Sequence, residues 1–269
     1  MRKVSDEMPI GIFDSGVGGL TVMKEIVKLL PEENILYIGD TARVPYGTRS
    51  PETVSRYSLE NARFLMSKGI KVLVVACNTS SAVSLALLRE EFPVSVIGVV
   101  EPGARAAVER SILKRIAVIG TETTIKTGSY ERAIRKIDDS IEVSGIACPL
   151  FVPIIEEGWL EGYVVNLTVE KYLSSIRYNN VDTLVLGCTH YPMIKDVIGK
   201  FVQLPLIDSA VETAQEVKRV LEKKDILCKS KDGVSRNFFV TDSPEKFAYV
   251  GERFLGHKIL NISKIELGG

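Results

Sequence analysis

Two cysteines stand in similar surroundings in this sequence of 269 residues. Cys77 lies in the segment ACNT (residues 76–79) and Cys188 in the segment GCTH (residues 187–190), and each segment follows a short apolar run that predicts a buried strand. A polar residue and the predicted start of a helix come next. The unpaired N–H groups and positive dipole end of a helix N-terminus favour the thiolate of a cysteine, whose ordinary pKa is about 8.5. Either thiol could therefore act as a base.

A pair of such groups suits one kind of reaction. Moving a proton from one face of a tetrahedral carbon to the opposite face requires a base and an acid on opposite sides of the substrate. A thiolate and a thiol exchange these roles when the reaction reverses, so both enantiomers can be substrates. We predict that Cys77 and Cys188 are the acid/base pair of an enzyme that inverts a carbon stereocentre without a cofactor.

The alternative for any single cysteine is that it fills space in the core, because cysteine is among the most buried residue types. Cys148 and Cys228 lack the strand-to-helix setting, and for them this alternative is favoured. A redox role for Cys77 and Cys188 is disfavoured because the two are predicted to lie in separate lobes.

The glycine-rich segment 14–19 follows the first predicted strand and precedes a helix, as in a dinucleotide-binding unit. Its spacing fails the GxGxxG fingerprint, and Asp14 stands at the strand end where a phosphate would approach. Nucleotide binding is therefore disfavoured. Asp14 could organise the turn or cap the helix, but beside a thiol it could also hold or accept a proton.

Several polar residues accompany the cysteines. His190 is separated from Cys188 by one threonine, which favours a proton-relay or anion-stabilising role over a structural one. Small polar side chains in the same loops would suit the carboxylates and ammonium group of an amino acid, although each is also an ordinary helix cap; they are Ser15, Asn78, Thr79 and Thr189. His257 and Trp159 are interpreted as structural.

Short β-branched runs alternate with helical patterns, which predicts an α/β fold with mainly parallel sheets flanked by helices. The predicted strands cover residues 9–13, 35–38, 72–76, 94–99, 116–119, 141–146, 183–186 and 237–241. The predicted helices cover residues 20–30, 51–67, 81–91, 102–111, 123–137, 164–178, 192–201 and 211–223. The similarity of the two cysteine loops predicts two lobes, residues 1–100 with 209–269 and residues 101–208, with the site between them.

Composition narrows the class of partner. The 34 basic and 34 acidic residues balance, so there is no electrostatic footprint for nucleic acid. The four cysteines form no CxxC pair and no metal-ligand spacing. No apolar run approaches the roughly 18 to 20 residues of a membrane span, and the start lacks the apolar block of a signal peptide. We expect a cytoplasmic protein with a small-molecule substrate, no metal, no membrane contact and no nucleic acid.

Four ordered motifs together resemble glutamate racemase, of the aspartate/glutamate racemase superfamily, from Pro9 to about Ala210. They are DSGVGGL (residues 14–20), GDT through PYG (39–47), ACNT (76–79) and GCTHYP (187–192). Ser80 stands where many members carry a small apolar residue.

The resemblance implies two pseudo-symmetric α/β lobes with the substrate between them, and neither pyridoxal phosphate nor a metal. It implies that Cys77 and Cys188 are catalytic, assisted by Asp14 and His190 respectively. By position it also implies a set of substrate contacts, namely Asp14, Ser15, Tyr46, Gly47, Asn78, Thr79, Thr121, Thr189 and His190. Asp40 and Glu156 match acidic residues near the site.

The implied activity is interconversion of L-glutamate and D-glutamate, which supplies D-glutamate for peptidoglycan, with Cys188 as the base towards L-glutamate. Many members of the family form homodimers. Two alternatives remain open: a racemase of aspartate or a related acidic amino acid, and a non-catalytic amino-acid-binding regulatory protein.

Overall fold

The computed structural model describes residues 5–178, 180–230 and 233–268. The first part of the chain contains β1 (Ile10–Asp14), α1 (Leu20–Leu29), β2 (Ile35–Gly39), α2 (Pro51–Ser67), β3 (Val72–Val75), α3 (Asn78–Glu91), β4 (Ser95–Gly98) and α4 (Val100–Arg110). The middle part contains β5 (Arg115–Gly120), α5 (Glu122–Lys126), α6 (Ser129–Ile137), β6 (Glu142–Ala147), α7 (Phe151–Glu156), α8 (Tyr163–Leu173) and β7 (Thr183–Gly187). The last part contains α9 (Lys195–Val202), β8 (Leu206–Asp208), α10 (Ser209–Lys223), β9 (Arg236–Val240), α11 (Pro244–Leu255) and β10 (Ile262–Lys264).

The strands form two sheets in which each described pair is parallel. The first sheet has the order β10-β9-β2-β1-β3-β4 and the second β6-β5-β7-β8. Central strands such as β1, β2, β3 and β7 are buried along their whole length, as expected for parallel strands covered on both faces. The predicted α/β class is confirmed.

The two sheets repeat one arrangement. The order β2-β1-β3-β4 in the first corresponds to β6-β5-β7-β8 in the second. Cys77 follows β3 and Cys188 follows β7, which are equivalent strands. The carboxyl ends of parallel strands lie at one edge of a sheet, so the repeat places the two thiols at corresponding positions. The lobe boundaries, 1–100 with 209–269 and 101–208, stay a proposal, and they include residues outside the described ranges.

Local sequence explains where several helices begin and end. Ser50 caps α2 by accepting a hydrogen bond from the N–H of Thr53 at 3.3 Å, and Pro51 occupies the first turn. The helix predicted over 123–137 is instead two helices, α5 and α6, because Gly128 has a φ of 59° between them. A left-handed residue interrupts the ladder of helical hydrogen bonds, and glycine adopts it without steric cost.

Four elements were missing from the predicted set: α7, β8, α11 and β10. The strands β8 and β10 have three residues each, too few for a period to emerge. The helix α7 carries a proline at its third position. In a sequence pattern a proline indicates the end of a helix, but in the first turn of a helix it is tolerated.

A buried ion pair attaches the segment after α10 to the first sheet. The Lys71 ammonium lies 2.6 Å from a Glu33 carboxylate oxygen, and both side chains are almost fully enclosed. The other oxygen of Glu33 accepts from the N–H of Cys228 at 2.8 Å, and Lys71 donates to the carbonyl of Ile226 at 2.9 Å. Cys228 therefore belongs to a structural junction. Within the described residues, no helix is long and apolar enough to cross a membrane.

Candidate active site

A cavity of about 330 Å³ opens where the carboxyl ends of strands from both sheets meet. Its wall contains eleven of the predicted site residues, namely Ser15, Tyr46, Gly47, Cys77, Asn78, Thr79, Thr121, Glu156, Cys188, Thr189 and His190. Asp14 and Asp40 are fully buried and do not line it. The fold thus brings most of the predicted set around one space and places two carboxylates behind its wall.

The two cysteines reach this cavity from the two sheets. Cys77 is the N-cap of α3 and is 5% exposed, and Cys188 precedes a short 3₁₀ helix (Tyr191–Ile194) and is 6% exposed. Both are free thiols. Both therefore line the cavity while remaining almost wholly enclosed.

His190 connects Cys188 to Glu156. Its Nδ1 atom lies 3.9 Å from the Cys188 sulfur, and its Nε2 atom lies 3.0 Å from Glu156 Oε1. Burial alone would lower the pKa of the imidazole, but its contacts with Cys188 and Glu156 outweigh burial and raise the pKa to about 10. The raised pKa favours a positive charge on His190, next to the Cys188 sulfur.

Cys77 has a different environment. Burial raises the pKa of its thiol to about 12, and the negative charge of Asp14 acts in the same direction. Burial also raises the pKa of Asp14, whose Oδ2 accepts from the N–H of Gly16 at 2.9 Å. The other oxygen of Asp14 has no hydrogen-bond partner among the described residues. Cys77 is accordingly a neutral thiol in this state, with a carboxyl group behind it.

The amide of Asn78 has a fixed orientation. The Tyr130 hydroxyl, from α6, donates to its Oδ1 at 2.7 Å. This leaves the Nδ2 group, which is buried and has no partner within the described part of the chain. An unpaired buried donor is costly, so the Asn78 Nδ2 group is a free hydrogen-bond donor in the cavity wall.

A cluster of threonine hydroxyls joins the two sheets at the cavity. Thr79 Oγ1 lies 3.0 Å from Thr121 Oγ1 and 3.3 Å from Thr124 Oγ1, and the latter two are 3.0 Å apart. Thr123 donates to the carbonyl of Gly47 at 2.9 Å. A Cβ on Gly47 would come within 2.6 Å of the Thr121 Cβ, so only glycine allows this approach.

The glycine-rich segment 14–19 serves a similar purpose. A Cβ on Gly18 would lie 2.5 Å from Nδ1 of His190. Thr21 donates to the carbonyl of Thr189 at 2.9 Å, which connects α1 to the Cys188 loop. The glycines thus permit contact with the second cysteine loop.

Asp40 holds the loop that carries Tyr46. It accepts hydrogen bonds from the Tyr46 hydroxyl, from Arg43 Nε at 2.7 Å and from Thr241 Oγ1 at 2.9 Å. Arg43 also pairs with Glu60. Asp40 therefore contacts the cavity wall through Tyr46, whereas Glu156 lines the cavity directly.

Several cavity residues were absent from the predicted set. The wall also includes Val44, Pro45, Thr48, Glu122, Pro149, Val152 and Pro153. Pro149 lies just beyond the end of β6, so the strand-end rule for parallel sheets could have indicated it. Within the described residues, no group of three or more histidine, cysteine or acidic side chains could hold a metal ion.

Comparison with known proteins identifies the group to which this architecture belongs. A model of the Asp/Glu/Hydantoin racemase family matches residues 10–217. The chain belongs to this family. The glutamate racemase of Geobacter metallireducens is 53% identical over 260 residues, covering 96% of each chain. That of Neisseria meningitidis is 42% identical over the full length of both.

A solved structure agrees with these relatives. The crystal structure of glutamate racemase from Francisella tularensis in complex with D-glutamate has a TM-score of 0.93 and 38% identity, and the match covers 97% of this chain and 98% of that one. The resemblance found in the sequence is confirmed, and so is the predicted enzyme class: this member of the Asp/Glu/Hydantoin racemase family is an amino-acid racemase, and hence an isomerase.

Proposed function

We propose that this protein interconverts L-glutamate and D-glutamate by proton transfer at Cα between two thiols, without a cofactor. One observation carries the proposal: Cys77 and Cys188 follow equivalent strands of two similar sheets and line one cavity. The substrate comes from the relatives, which are glutamate racemases.

Starting from L-glutamate, the Cys188 thiolate removes the α-proton, so that a Cα–H bond breaks and an S–H bond forms. His190 and Glu156 support this step, because the imidazolium stabilises the thiolate and Glu156 keeps the imidazole protonated. The Cys77 thiol then donates its proton to the opposite face of Cα. The product leaves Cys77 as the thiolate and Cys188 as the thiol, and this form accepts D-glutamate.

Asp14 assists Cys77 in the proposed cycle. It is enclosed behind the cavity wall, its pKa is raised by burial, and it has one carboxyl oxygen free of partners within the described ranges. Such a carboxyl can hold a proton beside the thiol when Cys77 changes its charge.

The substrate is held by groups that donate or accept hydrogen bonds without a full charge. We assign carboxylate binding to the Asn78 amide, to the hydroxyls of Thr79, Thr121 and Thr189, and to the backbone at Tyr46 and Gly47. We also assign Ser15, from the loop after β1, to substrate binding. The proposed cellular role is to supply D-glutamate for peptidoglycan in the cytoplasm, with a homodimer as the proposed assembly.

The decisive experiment is exchange of the α-proton with solvent. The purified protein is incubated in D2O with either enantiomer of glutamate or, in parallel, of aspartate, without pyridoxal phosphate and with EDTA. Chiral separation and mass spectrometry then follow the product. We expect the opposite enantiomer to form with one deuterium at Cα from either enantiomer of glutamate. Absence of both products and deuterium would support the non-catalytic alternative, and faster turnover of aspartate would support that substrate instead.

Two variants test the roles of the thiols. Cys77→Ser and Cys188→Ser should each lower racemisation by about 10²- to 10⁴-fold in both directions, because a hydroxyl is a far weaker acid and base partner at neutral pH. Cys228→Ser is the matched control, since Cys228 is buried but lies away from the cavity. Near-parental racemisation by either active-site variant would overturn the two-thiol mechanism.

A further inference from the structure

Ser80 is a buried hydroxyl next to one of the two thiols. It is the third residue of α3, whose N-cap is Cys77, and it is 0% exposed. The third helical residue is where an N-cap side chain usually finds an N–H partner; Cys77 makes no such cap bond, but the N–H and hydroxyl of Ser80 are among the groups that act on its thiol. The cysteine side chain and Ser80 are therefore neighbours at the start of α3.

The other hydroxyls near the start of α3 are engaged elsewhere. Thr79 contacts Thr121, Ser81 accepts from the N–H of Val99 at 3.1 Å, and Ser84 donates to Ser58 at 3.1 Å. Ser80 Oγ has no hydrogen-bond partner among the residues that the structure describes. A buried hydroxyl without a partner costs free energy unless it acts in another state of the protein.

That other state is the Cys77 thiolate. Burial and Asp14 oppose it, whereas the N–H and hydroxyl of Ser80 and the hydroxyl of Ser15 lower the pKa of Cys77. Cys188 has the His190 cation as its partner, and the contacts described for Cys77 include no comparable cation. Donors are thus the means by which the chain can stabilise a thiolate at Cys77.

We propose that Ser80 is a positioning residue that donates a hydrogen bond to the Cys77 thiolate and so stabilises the form of the enzyme that accepts D-glutamate. This inference rests on the proposed function. No covalent step is added, because the hydroxyl keeps its proton throughout. Ser80 acts on the substrate only through Cys77.

Thermodynamics limits how removal of the Ser80 hydroxyl can change the kinetic constants in the two directions of racemisation. Enantiomers have equal free energy in water, so kcat/KM must remain equal in the two directions for any variant. Ser80→Ala lowers the population of the form with a Cys77 thiolate. We therefore expect KM for D-glutamate to rise and kcat for L-glutamate to fall, each by about three- to tenfold. KM for L-glutamate and kcat for D-glutamate should change much less.

The experiment measures KM and kcat for each enantiomer, together with the reactivity of each thiol. Without substrate, the protein is alkylated with iodoacetamide over a range of pH, and peptide mass spectrometry follows Cys77 and Cys188 separately. In Ser80→Ala, alkylation of Cys77 should require higher pH while that of Cys188 is unchanged. Ser80→Thr, which keeps the hydroxyl, should restore both readouts. Ser84→Ala, a buried serine one turn further along α3, should match the parent.

The inference is overturned if Ser80→Ala has parental KM for D-glutamate and parental Cys77 alkylation, or if both thiols shift equally. Circular dichroism verifies that Ser80→Ala folds, which is expected because alanine is the residue that a helix tolerates best. Failure of the proposed function is distinguishable, because the parent protein itself would then exchange no deuterium into glutamate.

Discussion

The Nε2 atom of His190 lies 3.0 Å from Oε1 of Glu156. Glu156 ends α7, and His190 follows the strand β7, so the contact joins two segments that are 34 residues apart. It holds the imidazole with its other nitrogen towards Cys188. Glu156 and the loop that carries Cys188 and His190, which are distant in sequence, are thereby joined by hydrogen bonds.

Glu156→Gln tests this connection. The neutral amide removes a charge-assisted hydrogen bond of ~1.5–3 kcal/mol, so kcat/KM should fall about 10- to 100-fold. The pKa of His190 should fall from about 10, because Glu156 contributes to raising it. Activity at high pH should then disappear at a lower pH than in the parent. Steady-state rates from pH 6 to 10 measure both effects.

The control for that change is Glu157→Gln, which alters the next residue, an exposed glutamate. It should keep the parental pH profile. A Glu156→Gln enzyme with an unchanged profile would show that the carboxylate does not maintain the charge of His190.

His190 should also make stability depend on pH. Its pKa is raised from 6.5 to about 10 on folding, so its contribution is complete below about 6.5 and is lost as the pH rises through about 10. The free energy of unfolding of the parent minus that of His190→Gln should therefore shrink across this window. Urea unfolding at several pH values measures it, with the exposed His257→Gln as control. A constant difference would contradict the raised pKa.

Gly18→Ala should disturb the site while leaving the sheets intact. The new Cβ would lie 2.5 Å from His190 Nδ1, so the ring or the segment 14–19 must move. Overpacking of this kind costs ~1–3 kcal/mol, and we expect about a 10- to 100-fold loss of kcat/KM with an unchanged circular dichroism spectrum. Gly199→Ala is the control, because its Cβ would meet Leu206 at an ordinary 3.6 Å. Parental activity in Gly18→Ala would show that this close approach is unnecessary.

Asp40→Asn should weaken binding more than proton transfer. Asp40 is buried and orients Tyr46 through a network that includes Arg43 and Thr241. Loss of its charge should lower the free energy of unfolding by ~1.5–3 kcal/mol and raise KM for glutamate, with kcat largely kept. Asp242→Asn, which alters an exposed ion pair with Lys264, should change neither. A fall in kcat with unchanged KM would instead indicate a direct part in proton transfer.

Much of the fold could be predicted from the sequence alone. All eight predicted strands occur within one or two residues of their expected bounds. The central ones, such as β1, β3 and β7, are short, apolar and buried along their whole length, which makes them easy to detect. The four ordered motifs were sufficient for the family, because each is a contiguous segment and needs no knowledge of long-range contacts. The role assigned to each residue stays a proposal.

Other features depend on which segments the fold brings together. Asp14 ends β1 and Asp40 follows β2, yet both lie behind the cavity wall. Glu156, from a helix that the sequence pattern did not predict, lines the cavity. The orientation of Asn78 depends on Tyr130, which is 52 residues away.

The sequence by itself determined that two thiols of similar setting exist in an α/β racemase. Only the tertiary structure decided that Cys188 faces a cation while Cys77 faces a buried carboxyl group and the hydroxyl of Ser80. The physical reason is that the charge on a thiol depends on its burial and on groups from other elements, whereas a local pattern fixes only its neighbours along the chain.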